Sequence, residues 1–138
     1  MKLYIAGSSQ ELDRAALWIA RAKEAGIEIT LDWTIPIREK GSGNTLPFVE
    51  KQHYACADRD AIRSADAFWF LVPARMSFGA TWEFGFAYGY WCTNDLAQPD
   101  PIVLSGPKAG DHIFSTLAHV LFQRDEDAFE HLLRACVD

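Results

Sequence analysis

The sequence predicts an α/β fold, doubly wound, with helices on both faces of a parallel sheet. Three observations carry that expectation. Short apolar runs end in loops of glycine, serine or aspartate; segments of helical periodicity alternate with them; and one run, Ala67 to Val72, is apolar throughout and rich in aromatic residues, as a strand buried on both faces must be.

The elements follow in order. Leu3 to Ala6 reads as a strand ending at Gly7-Ser8-Ser9, and Glu11 to Ala25 as a helix with Leu12, Ala16, Ile19 and Ala20 inward. Gly26 stops that helix, and the alternating Ile27 to Leu31 gives a second strand, so the unit is βαβ and its strands parallel. Ser8 and Glu11 have capping-box spacing, which places the positive end of a helix at this loop, open to an anion. The loop has neither the lysine of a P-loop nor a complete GxGxxG.

Asp32 to Pro47, with Pro36, Gly41, Gly43, Asn44 and Pro47, reads as a long loop, and Trp33 at its base and Phe48 at its end are placed to cover a flat ligand. Val49 to Ser64 reads as a helix carrying His53, Cys56, Asp58 and Asp60. His53 and Cys56 have no second ligand pair, so no metal is expected. After the strand at Ala67 to Val72, Ser77 or Thr81 caps the helix that runs on to Tyr90, with Gly85 and Gly89 allowing close packing. Pro101 to Leu104 and Val120 to Phe122 are the fourth and fifth strands, and Asp125 to Ala135 is a closing amphipathic helix.

Composition bounds the function. A chain of 138 residues, 49% hydrophobic, is expected to form one domain spanning residues 1–138. A net charge of −6 excludes a nucleic-acid polymer as partner while leaving room for a small anion. Three cysteines without CxxC spacing are expected as free, mostly buried thiols of a reducing compartment. No apolar stretch approaches the roughly 20 residues of a membrane span, and the expected location is cytoplasmic.

The chemistry centres on Glu83. From Met76 to Asn94 no other residue is charged, and an unpartnered carboxylate among Trp82, Phe84, Phe86 and Tyr88 costs several kcal/mol. Near a helix start the dipole favours its ionised form. In a doubly wound sheet the loops after the strands gather at one edge, so Gly7-Ser8, Trp33, Ser77 and the segment Ser105 to Ser115 are expected to converge with Glu83 there. A carboxylate so placed can trap an oxocarbenium-like carbon while a second acid helps the leaving group depart, which suits glycosidic bond chemistry. Asp58 is the best second group; Asp60 and Asp66 read more simply as surface charge and a strand boundary.

Tyr4-Ile-Ala-Gly7-Ser8, Asp58 ahead of Ala65-Asp66, and Ser77-Phe-Gly79-Ala-Thr-Trp-Glu83-Phe-Gly85-Phe-Ala87 together resemble the nucleoside 2-deoxyribosyltransferase family over nearly the whole chain. The resemblance implies a five-stranded parallel sheet of flavodoxin-like order 2-1-3-4-5. It implies Glu83 as nucleophile toward the anomeric carbon, Asp58 as the group assisting departure of the base and Tyr4 as orienter of Glu83. Gly7, Ser8, Ser77 and Gly79 are the substrate-binding positions within the matching motifs, Trp33 and Phe48 join them as the aromatic groups placed to cover a flat ligand, and no cofactor is implied. Ser77 stands where base-exchanging transferases carry an aspartate. It is thus similar to the branch that hydrolyses nucleoside 5'-monophosphates, where serine makes room for phosphate. Ser115 resembles a late phosphate-contacting serine that reaches a neighbouring subunit's site, which implies a homodimer. The first loop lacks the early arginine of those hydrolases, and Arg14, a helical turn later, is the available substitute. The expected function is hydrolysis of the N-glycosidic bond of a (deoxy)nucleoside 5'-monophosphate; base transfer, cleavage of a larger nucleotide such as NAD, and nucleotide binding without catalysis are the other readings.

Overall fold

The computed structural model describes residues 1–41, 43–93 and 102–137. Five parallel strands lie in the order β2-β1-β3-β4-β5: β1 (Lys2–Ala6), β2 (Glu28–Ile29), β3 (Ala67–Leu71), β4 (Ile102–Ser105) and β5 (Val120–Phe122). The expected order is observed. Pro101, the expected start of the fourth strand, lies outside the described residues.

Side chains alternate across the sheet, and that alternation sorts the core. Leu3, Ile5, Trp69, Leu71 and Val103 face one side, where Trp18 and Ile19 of α1 (Leu12–Glu24) and Ala128 and Leu132 of α5 (Asp125–Val137) cover them. Tyr4, Ala6, Phe68, Phe70 and Leu104 face the other, under Ala61 and Ile62 of α3 (Phe48–Ser64) and Phe84, Ala87 and Trp91 of α4 (Phe78–Thr93). β3 is buried along its whole length, as its unbroken apolar run requires.

Several expectations need correction. The inward stripe of α1 is Ala15, Trp18, Ile19 and Ala22, so Ala20 faces outward. The segment from Asp32 to Pro47 is not a plain loop: it holds α2 (Thr34–Lys40) and a 3-10 turn at Gly43–Thr45. Pro36 falls in the first turn of α2, where no intrahelical N–H bond is lost, and Gly41, at φ 77°, ends the helix in a conformation that favours glycine. The capping box does not close. Ser8 Oγ accepts from the Gln10 N–H at 3.1 Å, but the Glu11 carboxylate turns to Arg14 and to the Ala74 N–H. The three thiols are free but not buried, Cys92 and Cys136 being exposed and Cys56 half-buried. Among the described residues no helix is long and apolar enough to cross a membrane.

Candidate active site

The even-numbered register of β1 aims Tyr4 at the face shared by α3 and α4, the two helices that carry Asp58 and Glu83. Its ring is fully buried and stacked on Phe68 at 5.8 Å, so its hydroxyl has little freedom. That hydroxyl donates to Glu83 Oε1 at 3.1 Å. Burial, then the charges of Glu83 and Asp58, push the phenol well above its ordinary pKa, so it stays protonated as a donor.

The two carboxylates have shifted as well. Burial raises Asp58 to about 6, against the opposing hydrogen bond of Tyr4. Burial and then the charge of Asp58 raise Glu83 to about 8, again against Tyr4. The expectation that the start of α4 would favour ionised Glu83 is thus overturned. The dipole acts mainly within the first turn, Glu83 stands in the second, and desolvation is the larger effect.

Both carboxylates line a cavity of about 720 Å³. One end is formed by Gly7, Ser8, Ser9 and Gln10 after β1 and by Ser77, Gly79 and Ala80 at the start of α4. Ser77 caps α4, its Oγ accepting from the Ala80 N–H at 3.4 Å. Leu31, Trp33, Pro36 and Ile37 make a flat apolar wall, and the Trp33 ring is fixed by its Nε1–H donating to the Ile5 carbonyl at 2.7 Å. The crevice opens beside β1 and β3, where the connections leave toward opposite faces of the sheet.

Glu83, Asp58, Gly7, Ser8, Trp33, Ser77 and Gly79 therefore come together, with Tyr4 directly behind them. Three expected positions and one segment do not join them. All five guanidinium N–H donors of Arg14 are engaged within the protein: by both oxygens of Asp125 at 2.8 Å, by Glu11 and the Val72 carbonyl at 2.9 Å, and by the Ser105 carbonyl at 3.3 Å. It has no donor left for a phosphate. Phe48 is the first residue of α3 and is 78% exposed, outside the cavity lining. Ser115 is buried in its own chain within a 3-10 turn, and the segment Ser105 to Ser115 does not line the cavity, its first residue being buried and bonded to Asp125 and Trp69.

Sequence reasoning missed the lining groups Gln10, Asn44, Lys40, Lys51 and Tyr54, and weighed His53 only as a metal ligand. A signal was present: Lys51, Tyr54 and Asp58 are spaced i, i+3, i+7 and so share one face of α3. Among the described residues no cluster of three His, Cys, Asp or Glu side chains gathers at metal-binding distance.

No protein-family model matches the chain, and no curated protein matches it. Solved structures do. A 2-deoxyribosyltransferase from Bacillus psychrosaccharolyticus superimposes with a TM-score of 0.67 at 17% identity, covering 96% of each chain. The chain has the fold of that 2-deoxyribosyltransferase. A CMP N-glycosidase from Clostridium botulinum, BcmB, superimposes with a TM-score of 0.58 at 18% identity over 96% of this chain and 98% of its own. In this deoxyribosyltransferase fold, the cavity that Asp58 and Glu83 line is bounded by the segments that follow the carboxyl ends of β1 and β3, with Tyr4 in the middle of β1 behind it.

Proposed function

We propose that the protein hydrolyses the N-glycosidic bond of a nucleoside 5'-monophosphate, releasing free base and sugar 5-phosphate. The observation that carries this reading is the Tyr4 hydroxyl held at 3.1 Å from Glu83 with Asp58 close enough to feel the same hydroxyl, all at one cavity. A phenol has one hydrogen to give. When it is donated to Glu83, Asp58 can bond to Tyr4 only by donating its own proton. The higher pKa of Glu83 leaves the shared proton on Glu83 at rest; the reactive arrangement is the other one of the same singly protonated pair, protonated Asp58, neutral Tyr4 and ionised Glu83.

That is the state the chemistry needs. Glu83 attacks the anomeric carbon as the bond to the base breaks, the bonding pair leaves with the base nitrogen, and Asp58 delivers its proton there. A water molecule, deprotonated by the resulting Asp58 carboxylate, then displaces Glu83 from the sugar. Trp33 offers a face on which the base stacks. Uncharged Ser8 and Ser77, with N–H groups at the start of α4, suit a phosphate that an aspartate would repel.

The test offers purified protein a panel of nucleoside 5'-monophosphates and follows base release by chromatography. Release is expected, and Glu83→Ala is expected to lower it by about 1,000-fold or more. No release from any member of the panel, or full activity in the variant, would sink the proposal. Base exchange is the second reading, favoured by the likeness to the 2-deoxyribosyltransferase. Adding a second free base separates the two, since exchange yields a new nucleoside faster than free sugar.

A homodimer belongs to the same proposal. Trp82 stacks on Phe86 at 5.3 Å and Phe86 on Tyr90 at 6.1 Å along the outer side of α4, with Trp82 56% exposed and Phe78 beside the cavity 97% exposed. A helix with Glu83 as its single charge among 16 residues is apolar all round, and its outer side is the supporting observation for a covering partner.

A further inference from the structure

The cavity end formed by the two loops is held together by one residue outside the cavity. β1 and β3 are hydrogen-bonded neighbours as far as Ala6 and Phe70, but beyond them the chain from β1 turns to α1 on one face and the chain from β3 turns to α4 on the other. Past the strand ends, sheet pairing no longer sets the distance between them.

Glu11 does. One carboxylate oxygen accepts from Arg14 Nη1 at 2.9 Å, and the other accepts from the Ala74 N–H at 2.7 Å, a link across 63 positions of sequence. The same Arg14 nitrogen donates to the Val72 carbonyl at 2.9 Å, so Glu11 and Arg14 grip the backbone on both sides of Pro73. Glu11 immediately follows Ser9 and Gln10, which line the cavity, and Ala74 lies just before Met76 and Ser77, which line it from the other side. Arg14 is in turn immobilised by Asp125, whose oxygens also accept from Ser105 Oγ at 2.6 Å and Trp18 Nε1 at 3.1 Å. The grip is anchored in three elements, α1, β4 and α5, through the part-buried Arg14.

We propose that Glu11 is a positioning residue for the anionic end of the substrate: clamped by Arg14 onto Ala74, it fixes the separation of the Gly7–Gln10 and Met76–Ala80 segments and so the width of the phosphate-receiving end. This rests on the hydrolase reading above. It replaces the direct phosphate contact that Arg14 is unable to make with an indirect role through Glu11.

Wild type, Glu11→Ala and Glu11→Gln are assayed with a nucleoside 5'-monophosphate and with the same nucleoside unphosphorylated. Glu11→Ala is expected to lower the nucleotide-to-nucleoside ratio of kcat/KM by about tenfold or more, chiefly through a higher KM for the nucleotide. Glu11→Gln keeps an oxygen for the Ala74 N–H and is expected to recover most of that ratio. If Glu11→Ala does not fold, Glu11→Asp, one methylene too short to span both partners, replaces it with the same expectation. An equal loss on both substrates, as general loosening would give, or an unchanged ratio overturns the role of Glu11 and leaves the hydrolase reading standing. A wild-type ratio near one, with base still released, overturns the phosphate assignment and this role with it.

Discussion

Tyr4, Asp58 and Glu83 share one phenolic hydrogen between two carboxylates, and that scarcity sets how the site titrates. With Asp58 raised to about 6 and Glu83 to about 8, the pair holds a single proton across the neutral range. Catalysis by the singly protonated pair predicts a bell-shaped pH dependence of kcat/KM, with apparent pKa values near 6 and 8 belonging to the pair. Tyr4→Phe removes a bond that lowers both carboxylates, so both limbs are expected to move upward in pH. Because a hydrogen bond to a charged group is lost, activity at the optimum should also fall by about 10- to 100-fold. A pH–rate series on the two proteins checks this; unmoved limbs would remove Tyr4 from the proton network. Legibility differed among these residues. Glu83 stood out in the sequence as the single charge in an aromatic stretch, whereas Asp58 was one acid among several on its helix and needed the third dimension to gain its partner.

At the scale of elements, the turn after β4 and the outer side of α4 carry the clearest consequences. Gly106 has φ 120°, and a Cβ there would stand 2.7 Å from Arg14 Nη2 and 3.0 Å from the Val72 carbonyl. Gly106→Ala therefore combines backbone strain with displacement of Arg14, and is expected to cost about 2–4 kcal/mol in urea unfolding. A loss within about 0.5 kcal/mol would show that the turn relaxes freely. On α4, the double change Trp82→Glu and Phe86→Glu puts charge into the proposed association face. The variant is expected to elute as a monomer at concentrations where the wild type is a dimer by light scattering. Identical masses for the two proteins would place any dimer contact elsewhere. Periodicity marked α4 but not which side meets the sheet, because a helix apolar on every side has no stripe to read. α2 escaped for a different reason: Pro36 and Gly41, read as loop signals, occupy the first turn and the end of a short helix, where each is compatible with helical structure.

For the whole molecule, the raised carboxylates make stability fall toward alkaline pH. Asp58 and Glu83 ionise near 3.8 and 4.5 when unperturbed and only near 6 and 8 in the fold, so between those limits the native state binds more protons than the unfolded chain. Stability is then lost as pH rises through this window, at up to about 1.4 kcal/mol per pH unit for each proton of difference. Glu83→Gln is expected to flatten the slope and to be more stable than wild type at pH 8, read as the urea midpoint across pH 5 to 9; an unchanged slope would mean that Glu83 is not the group held neutral. The acid limit has another origin. Burial works to raise Asp125, but Arg14, Ser105 and Trp18 outweigh it and leave it below its ordinary value. Its contribution is present above the unfolded value and lost as pH falls through the folded one.

The sequence by itself determined the sheet and its two helical faces and singled out Glu83 as the candidate carboxylate, because these depend on periodicity and on the cost of burying a lone charge, both local properties of the chain. Tertiary structure alone decided the rest. It turned Arg14 from a candidate phosphate ligand into an internal brace, left Phe48 in solvent, enclosed Ser115 in its own chain and brought Lys40 and Lys51 to the cavity mouth. Each of these depends on which partner reaches a side chain first across many residues of sequence, and spacing along the chain does not encode that competition.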